Sequence, residues 1–239
     1  MASPLICAIG AGGKTAALAA LARALCRRAV LLTTTTHITP AEPTVCRRLL
    51  IDPSAAELRQ SLRCAGAVCA GARAEHGKLG ALPPDVLCAG RDAAAVTLCE
   101  ADGAHRLPLK LHRADEPVLP EGTTLCLIAA GLGAVGQPIG QTVHRYALRA
   151  DWQQDPMQRV TAQTVADCVL EAAQASGLPR ERLRVWLNQT DLPHAAAAAP
   201  AVLALLAEAG FSARAGSLHT APQALTDWIL PEITEKNGL

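Results

Sequence analysis

Along this chain, short runs of consecutive apolar residues alternate with longer stretches whose apolar positions follow helical spacing. Leu5–Ile9, Val30–Thr34, Ala67–Ala70, Ala95–Cys99, Thr124–Ala129, Leu183–Leu187 and Phe211–Ala215 are of strand length. A run that is apolar throughout, rather than at alternate positions, fits a strand covered on both faces. Helical windows fall at Lys14–Arg27, Ala55–Leu62, Thr161–Ala175, Ala195–Ala209 and Pro222–Ile229. Their ends carry local signals. Ser54 stands at an N-cap position, Gly177 with Pro179 beyond it closes one helix, and Arg27 and Arg28 suit a helix C-terminus. Pro200 either kinks its helix or starts the main part of it. Strands alternating with helices predict an α/β fold, with a mainly parallel sheet and helices on both faces. With no internal repeat and no Ser/Gly linker, residues 1–239 read as one domain. The Gly/Pro-punctuated stretch 72–94 reads as an inserted hairpin or loop, and the terminal "TEKNGL" as frayed.

Composition narrows the chemistry. Half of the 239 residues are apolar but only 2% are aromatic, so the core is built from Ala, Leu, Val and Ile, and a base-stacking surface for single strands is not expected. With 22 basic and 21 acidic residues and no basic block, neither nucleic acid nor an anionic membrane is an expected partner. The nine cysteines form no C-x-x-C pair, which argues against a disulfide framework or a zinc knuckle and for free thiols in a reducing compartment. A basic-then-apolar leader is missing from the first residues, and no window approaches 18 uncharged apolar residues, so a cytoplasmic location is expected.

The strongest chemical signal is Ala8-Ile9-Gly10-Ala11-Gly12-Gly13-Lys14-Thr15, between an apolar run and a helical window. It fits a phosphate loop with Ala8 in the first glycine position. Backbone N–H groups and the helix N-terminus would hold phosphate, Lys14 would reach the β- and γ-phosphates, and Thr15 would ligate Mg²⁺. A dinucleotide fingerprint and a plain turn are the alternatives, but neither explains Lys-Thr. Gly131-x-Gly133-x-x-Gly136 matches the dinucleotide expression too, yet Pro138 and Gly140 follow at once, so it reads as a loop. A phosphate loop needs an acid at the end of a buried strand. Glu100 and Asp102 in "LCEADG" supply it, as metal-holding and catalytic candidates beside Lys14.

Farther on, "RVWLNQTD" ends a strand in Asn188 and Asp191, similar to the N-K-x-D step with which GTP-binding proteins read guanine, with Gln189 in place of Lys. A carboxylate at Asp191 accepts from the guanine ring N–H and amine and faces a lone pair on adenine, so GTP is expected over ATP. Ser217 is a further candidate lining the base. His37 in "TTTTHI", Arg106, Lys110 and His112 in "DGAHRLPLKLHR", and Arg145 lie on loops after strands and are candidates for gripping an anionic substrate or partner, Arg145 as a charge-stabilising finger.

Taken together, "GAGGKT", "LLTTTTHI", "EADG" with "PLK" and "EPVLP", "GQPIG" with "VHR", and "LNQTD" resemble the YqeC-like family, in order from about residue 5 to 191. Members are described as accessory proteins of selenium-dependent molybdenum hydroxylases. The resemblance implies a P-loop NTPase-like protein that assists maturation of those enzymes, with a selenium or molybdenum cofactor species or a maturation protein as partner. Three uses of the nucleotide stay open: slow hydrolysis, phosphoryl transfer to a small cofactor precursor, and a non-catalytic switch.

Overall fold

The computed structural model describes residues 3–40 and 45–234. The first half of the chain runs β1 (Leu5–Gly10), α1 (Lys14–Ala24), β2 (Ala29–Thr34), β3 (Arg48–Ile51), α2 (Ala55–Ser61), β4 (Gly66–Arg73), β5 (Leu79–Gly80), α3 (Pro84–Ala93) and β6 (Val96–Glu100). The second half runs β7 (Leu109–Lys110), β8 (Leu125–Gly131), α4 (Ile139–Thr142), β9 (Val143–His144), α5 (Ala150–Gln154), α6 (Ala162–Ser176), β10 (Leu183–Asn188), α7 (Pro193–Glu208), β11 (Ala213–Ala215) and α8 (Gln223–Thr234).

Nine of the strands form one sheet, in the order β11-β10-β8-β1-β6-β2-β4-β3 with β5 beside β4, and β7 and β9 pair separately. Every pairing along that path is parallel, and β5 adds an antiparallel edge to β4. A parallel sheet needs both faces covered, and β1 shows how this is done. Leu5, Cys7 and Ile9 point to the cluster under α6 and α7, while Ile6 and Ala8 point to the cluster under α1 and α8. In β2, Leu31 packs beneath α2 and α3, and Val30 and Leu32 on the opposite side. The fold is an α/β domain of the P-loop NTPase-like kind.

Ser54 and Gly177 act as read, Thr161 proves to be a cap rather than the first helical residue, and Arg27 and Arg28 lie beyond the end of α1. The Ser54 hydroxyl accepts from the Glu57 N–H at 3.2 Å. Thr161 and Thr164 form a reciprocal capping box, and Gly177 takes the left-handed C-cap position at φ 64°. Helix α1 stops at Ala24, one turn short of the window, and α7 runs unbroken from Pro193 through Pro200. The segment 72–94 is part hairpin and part helix. β4 turns back into β5, and Pro84 then opens α3, whose Gly90 lies against Leu58 and Leu31. Gly90 and the Pro83-Pro84 pair masked this helix in the sequence, where tertiary packing rather than propensity fixes it. The edge strand β3 was also unmarked, since it covers only Leu50 and leaves Leu49 and Ile51 exposed. Residues 235–239 of the tail lie outside the described residues. Among the described residues, no helix is long and apolar enough to cross a membrane.

The loop after β1 is pressed against the end of β8. At Gly12, φ is +80° and an added Cβ would sit 2.4 Å from the Gly131 nitrogen and 2.7 Å from the Pro108 carbonyl oxygen. We expect Gly12→Ala to lower unfolding free energy by about 2–3 kcal/mol in urea titration without any ligand, because backbone strain and a backbone collision add. Unchanged stability would mean that this glycine serves ligand access alone.

Candidate phosphate-loop site

Strand β1 delivers Gly10 to the carboxyl edge of the sheet, and α1 begins four residues later with no side chain capping its N-terminus. Its first amides and positive dipole end therefore face an open cleft of ≈ 1410 Å³. Lys14 is buried and folds back, its ammonium 2.7 Å from the Gly10 carbonyl and 3.0 Å from Asp102 Oδ1. The Thr15 hydroxyl donates to Glu100 Oε2 at 2.7 Å. β6 runs directly beside β1, which is why two residues 85 apart in sequence meet. Burial pushes the Glu100 carboxyl above its ordinary value, opposed by Lys14 and Thr15.

Two residues beyond Glu100, Asp102 is fully enclosed. Its Oδ2 accepts the Gly10 N–H at 2.8 Å, faces His112 Nε2 at 2.7 Å and lies 3.1 Å from Lys110 Nζ. Burial alone would raise the Asp102 carboxyl, but His112, Lys14 and Lys110 hold it far below the usual carboxylate range. The other His112 ring nitrogen, Nδ1, is 2.8 Å from Glu171 Oε2 on α6. Both imidazole nitrogens thus face carboxylates, an arrangement that only the protonated ring satisfies. Burial would lower the His112 pKa, and the two carboxylates turn the shift upward.

The ladder pair β7–β9 sets Lys110 beside His144 and leaves Arg145 immediately after the ladder. Lys110 and Arg145 converge on Glu116, Lys110 at 2.9 Å and Arg145 through two bonds. Burial raises the Glu116 carboxyl, and Arg145 and Lys110 more than reverse this, to about 2. The network holds four carboxylates (Glu100, Asp102, Glu116, Glu171) and four cations (Lys14, Lys110, His112, Arg145). Charge balance allows so many ionised groups to sit under the sheet edge.

At the other end of the cleft, β10 ends in Asn188. Its Nδ2 donates to the Gly12 carbonyl at 2.7 Å, and its Oδ1 accepts the Leu218 N–H at 2.9 Å. Asn188 therefore ties the phosphate loop to the loop after β11. Asp191 is exposed, with the Ser217 hydroxyl holding its carboxyl below the ordinary value. Gln189 has φ +75°, and its Oε1 accepts the Gly133 N–H at 3.1 Å.

The structure thus brings Gly10, Ala11, Gly12, Gly13, Lys14, Thr15, Glu100 and Asp102 together, with Asn188 joined to them and Asp191 and Ser217 adjacent to each other. His37, Arg106 and Arg145 line the cleft, whereas Lys110 and His112 are sunk beneath it and face protein carboxylates. Glu116 opens the "EPVLP" string, where the sequence assigns it no role, and Glu171 carries no local mark and lies 59 residues from the histidine it meets. Among the described residues, no group of three or more His, Cys, Asp or Glu side chains is arranged to hold a metal ion. An oxygen pair such as Thr15 and Glu100 suits a hard cation, which takes few protein ligands and completes its shell with phosphate oxygens and water.

A buried strand feeding an uncapped helix through a glycine loop, with an acid on the adjacent strand facing the first hydroxyl of that helix, defines a P-loop NTPase-like site. Residues 6–147 match the YqeC protein family, and the chain belongs to it. The protein of Escherichia coli K12 called "Uncharacterized protein YqeC" is 34% identical over 156 residues, 62% of this chain and 59% of its own length. The match therefore spans less than two thirds of that relative.

The sign of the His112 shift yields a prediction. Because folding raises its pKa, its charged contacts stabilise fully below the unfolded value near 6.5. That contribution is lost as pH rises through the higher folded value. His112→Gln should cost about 2 kcal/mol at pH 6, with the gap to wild type narrowing by pH 9 in urea unfolding. A gap that widens with pH would show that the ring is neutral.

Proposed function

We propose that this protein binds a nucleoside triphosphate with Mg²⁺ and hydrolyses it slowly, GTP being preferred over ATP. The observation that carries the reading is the Thr15–Glu100 contact of 2.7 Å at the mouth of the uncapped α1 helix. In that reading the loop amides and the first turn of α1 bind the phosphates, and Lys14 leaves Asp102 to meet the β- and γ-oxygens. Thr15 and Glu100 hold Mg²⁺, which neutralises phosphate charge. Asp102 keeps the loop in register through the Gly10 N–H, so its role is positioning. Asn188, with both ends of its amide already engaged, likewise positions the loop. Asp191, set by Ser217, is the group left to read the base. Phosphoryl transfer needs mainly placement and charge neutralisation, which a rigid, charge-balanced site supplies. The client process, read from the family resemblance, is maturation of selenium-dependent molybdenum hydroxylases in the cytoplasm.

Calorimetric titration with GTP, ATP and CTP in Mg²⁺ tests this. Lys14→Ala should weaken GTP binding by about 100-fold or more, the scale of a buried charge contact to phosphate. Equal affinity for the variant and wild type would remove the phosphate-loop reading. Asp191→Asn should move preference from guanine to xanthine nucleotides by roughly 100-fold, because an amide cannot accept from both the guanine ring N–H and amine but can donate to the 2-oxo group of xanthine. Wild type binding ATP as well as GTP would remove the base reading.

Because the Glu100 carboxyl is raised, protons compete with Mg²⁺ above the ordinary carboxylate value of 4.5. Mg²⁺-dependent affinity should therefore fall as pH drops toward mildly acidic values, and Glu100→Gln should reduce that dependence to the part set by protonation of the nucleotide's own terminal phosphate.

A further inference from the structure

The cleft is larger than a nucleotide site requires. Ordinary small-molecule sites occupy roughly 300–1,000 Å³, and this one reaches ≈ 1410 Å³. Along the carboxyl edge of the sheet, the strand order places the Asn188–Asp191 end at β10, the phosphate loop at β1 and Glu100 at β6. A triphosphate reaching from β10 to β1 presents its terminal phosphate toward β6. The cleft does not end there. It continues past β6 beneath the exits of β2 and β4, where Thr36–Thr39 and the β4–β5 hairpin form its outer wall, and the turn at 103–107 faces them.

Two features mark this outer compartment. The first is its charge. Lys78 and Arg106 line it, and among the described residues neither forms an ion pair, while Arg73 is answered by Asp52 at 3.6 Å. His37, His76 and His105 stand among these cations, and one exposed carboxylate, Glu75, lines the same wall 4.0 Å from His76. The second is strain. The described non-glycine residues with positive φ are Asp52, His76, His105, Arg106, Arg145 and Gln189, and all but Asp52 line the cleft. Left-handed backbone costs of order 1–3 kcal/mol per residue and persists where a ligand clamp requires it. Here two consecutive residues, His105 and Arg106, adopt it (φ 49° and 63°) at the centre of a turn closed by the Leu107 N–H on the Ala104 carbonyl, and both line the cleft, His105 stacked on His144 at 4.6 Å.

We propose that the outer compartment, walled by the 36–39 segment, the β4–β5 hairpin and the 103–107 turn, binds a second, small ligand through an oxyanion group, with Lys78 and Arg106 as its charge partners. The assignment of the terminal phosphate to the β6 side rests on the nucleotide reading above. The ligand lies next to that phosphate, the position of an acceptor or of an effector of hydrolysis. The preference for an anion rests on Lys78 and Arg106, which outnumber the one carboxylate of the outer wall, Glu75.

Saturating the protein with Mg²⁺ and a β,γ-imido analogue of GTP fills the phosphate loop, after which inorganic sulfate and citrate serve as probes in calorimetry. The expected result is saturable binding to the loaded protein, weakened at least tenfold in the Lys78→Ala/Arg106→Ala double variant while that variant keeps nucleotide affinity within threefold. No binding of either probe, or binding unchanged in the double variant, overturns the proposal. If the analogue fails to bind wild type, the nucleotide reading falls and the probes are titrated into Lys14→Ala instead. Probe binding that still depends on Lys78 and Arg106 then supports the outer site, and probe binding indifferent to them overturns it. Circular dichroism of the double variant checks that the fold is retained, as exposed side chains predict.

Discussion

The buried Asp102 carboxylate is the constraint on which the rest of the site depends. It lies at the junction of β1, β6 and the loop that follows β6, and it is fully enclosed. A lone carboxylate there would be prohibitively costly. It persists because Gly10 N–H, Lys14, Lys110 and His112 all meet it. Those four partners in turn fix what surrounds them. Gly10 sets the start of the phosphate loop, Lys110 carries Glu116 and with it Arg145, and His112 brings in Glu171 from α6. Removing the carboxylate would leave Lys14, Lys110 and His112 one carboxylate each, Glu100, Glu116 and Glu171, and would tip the balanced cluster to a net positive charge, so site geometry and local stability are one property.

The same network gives Lys14 two possible partners. In the structure it is held by Asp102 and the Gly10 carbonyl. Asp102 keeps Lys110 and His112 if Lys14 turns away, and Lys14 has Glu100 3.8 Å off as a further partner. Moving Lys14 therefore does not strand the buried carboxylate. The glycines of the loop have a duty of their own. Gly10 and Gly12 are required because strand β8 passes within contact of their backbone: an added Cβ would lie 2.4 Å from the Ala129 oxygen or the Gly131 nitrogen. The motif is a packing device in its own right.

Much of the fold was legible because each strand and helix announces itself locally. Buried parallel strands such as Leu5–Gly10 and Leu125–Gly131 are apolar at nearly every position, and Ser54 and Gly177 mark helix ends through bonds to their own neighbours. Elements without that independence were missed. Strand β3 buries one leucine, β7 and β9 are two residues each, and α3 contains Gly90 because Leu58 and Leu31 leave no room for a side chain. The site followed the same division. Lys14, Thr15, Glu100 and Asp102 stood in readable motifs, whereas Glu116 and Glu171 have meaning only through the cations that meet them.

What the sequence determined by itself was the order of elements, the phosphate-loop string and the acids on an apolar strand, since all of these depend on residues near one another in the chain. The tertiary structure decided which of the charged residues face the cleft. Lys110 and His112 read as substrate-facing in the sequence, yet the β7–β9 ladder and helix α6 turn them inward to Asp102, Glu116 and Glu171. Arg106 read as substrate-facing and does line the cleft, while Lys78 looks like an ordinary surface cation until the β4–β5 hairpin sets it on the same cavity. The physical reason is range: helix caps and strand periodicity act over a few residues, but the pairing of buried charges is settled only when distant segments pack together and exclude water.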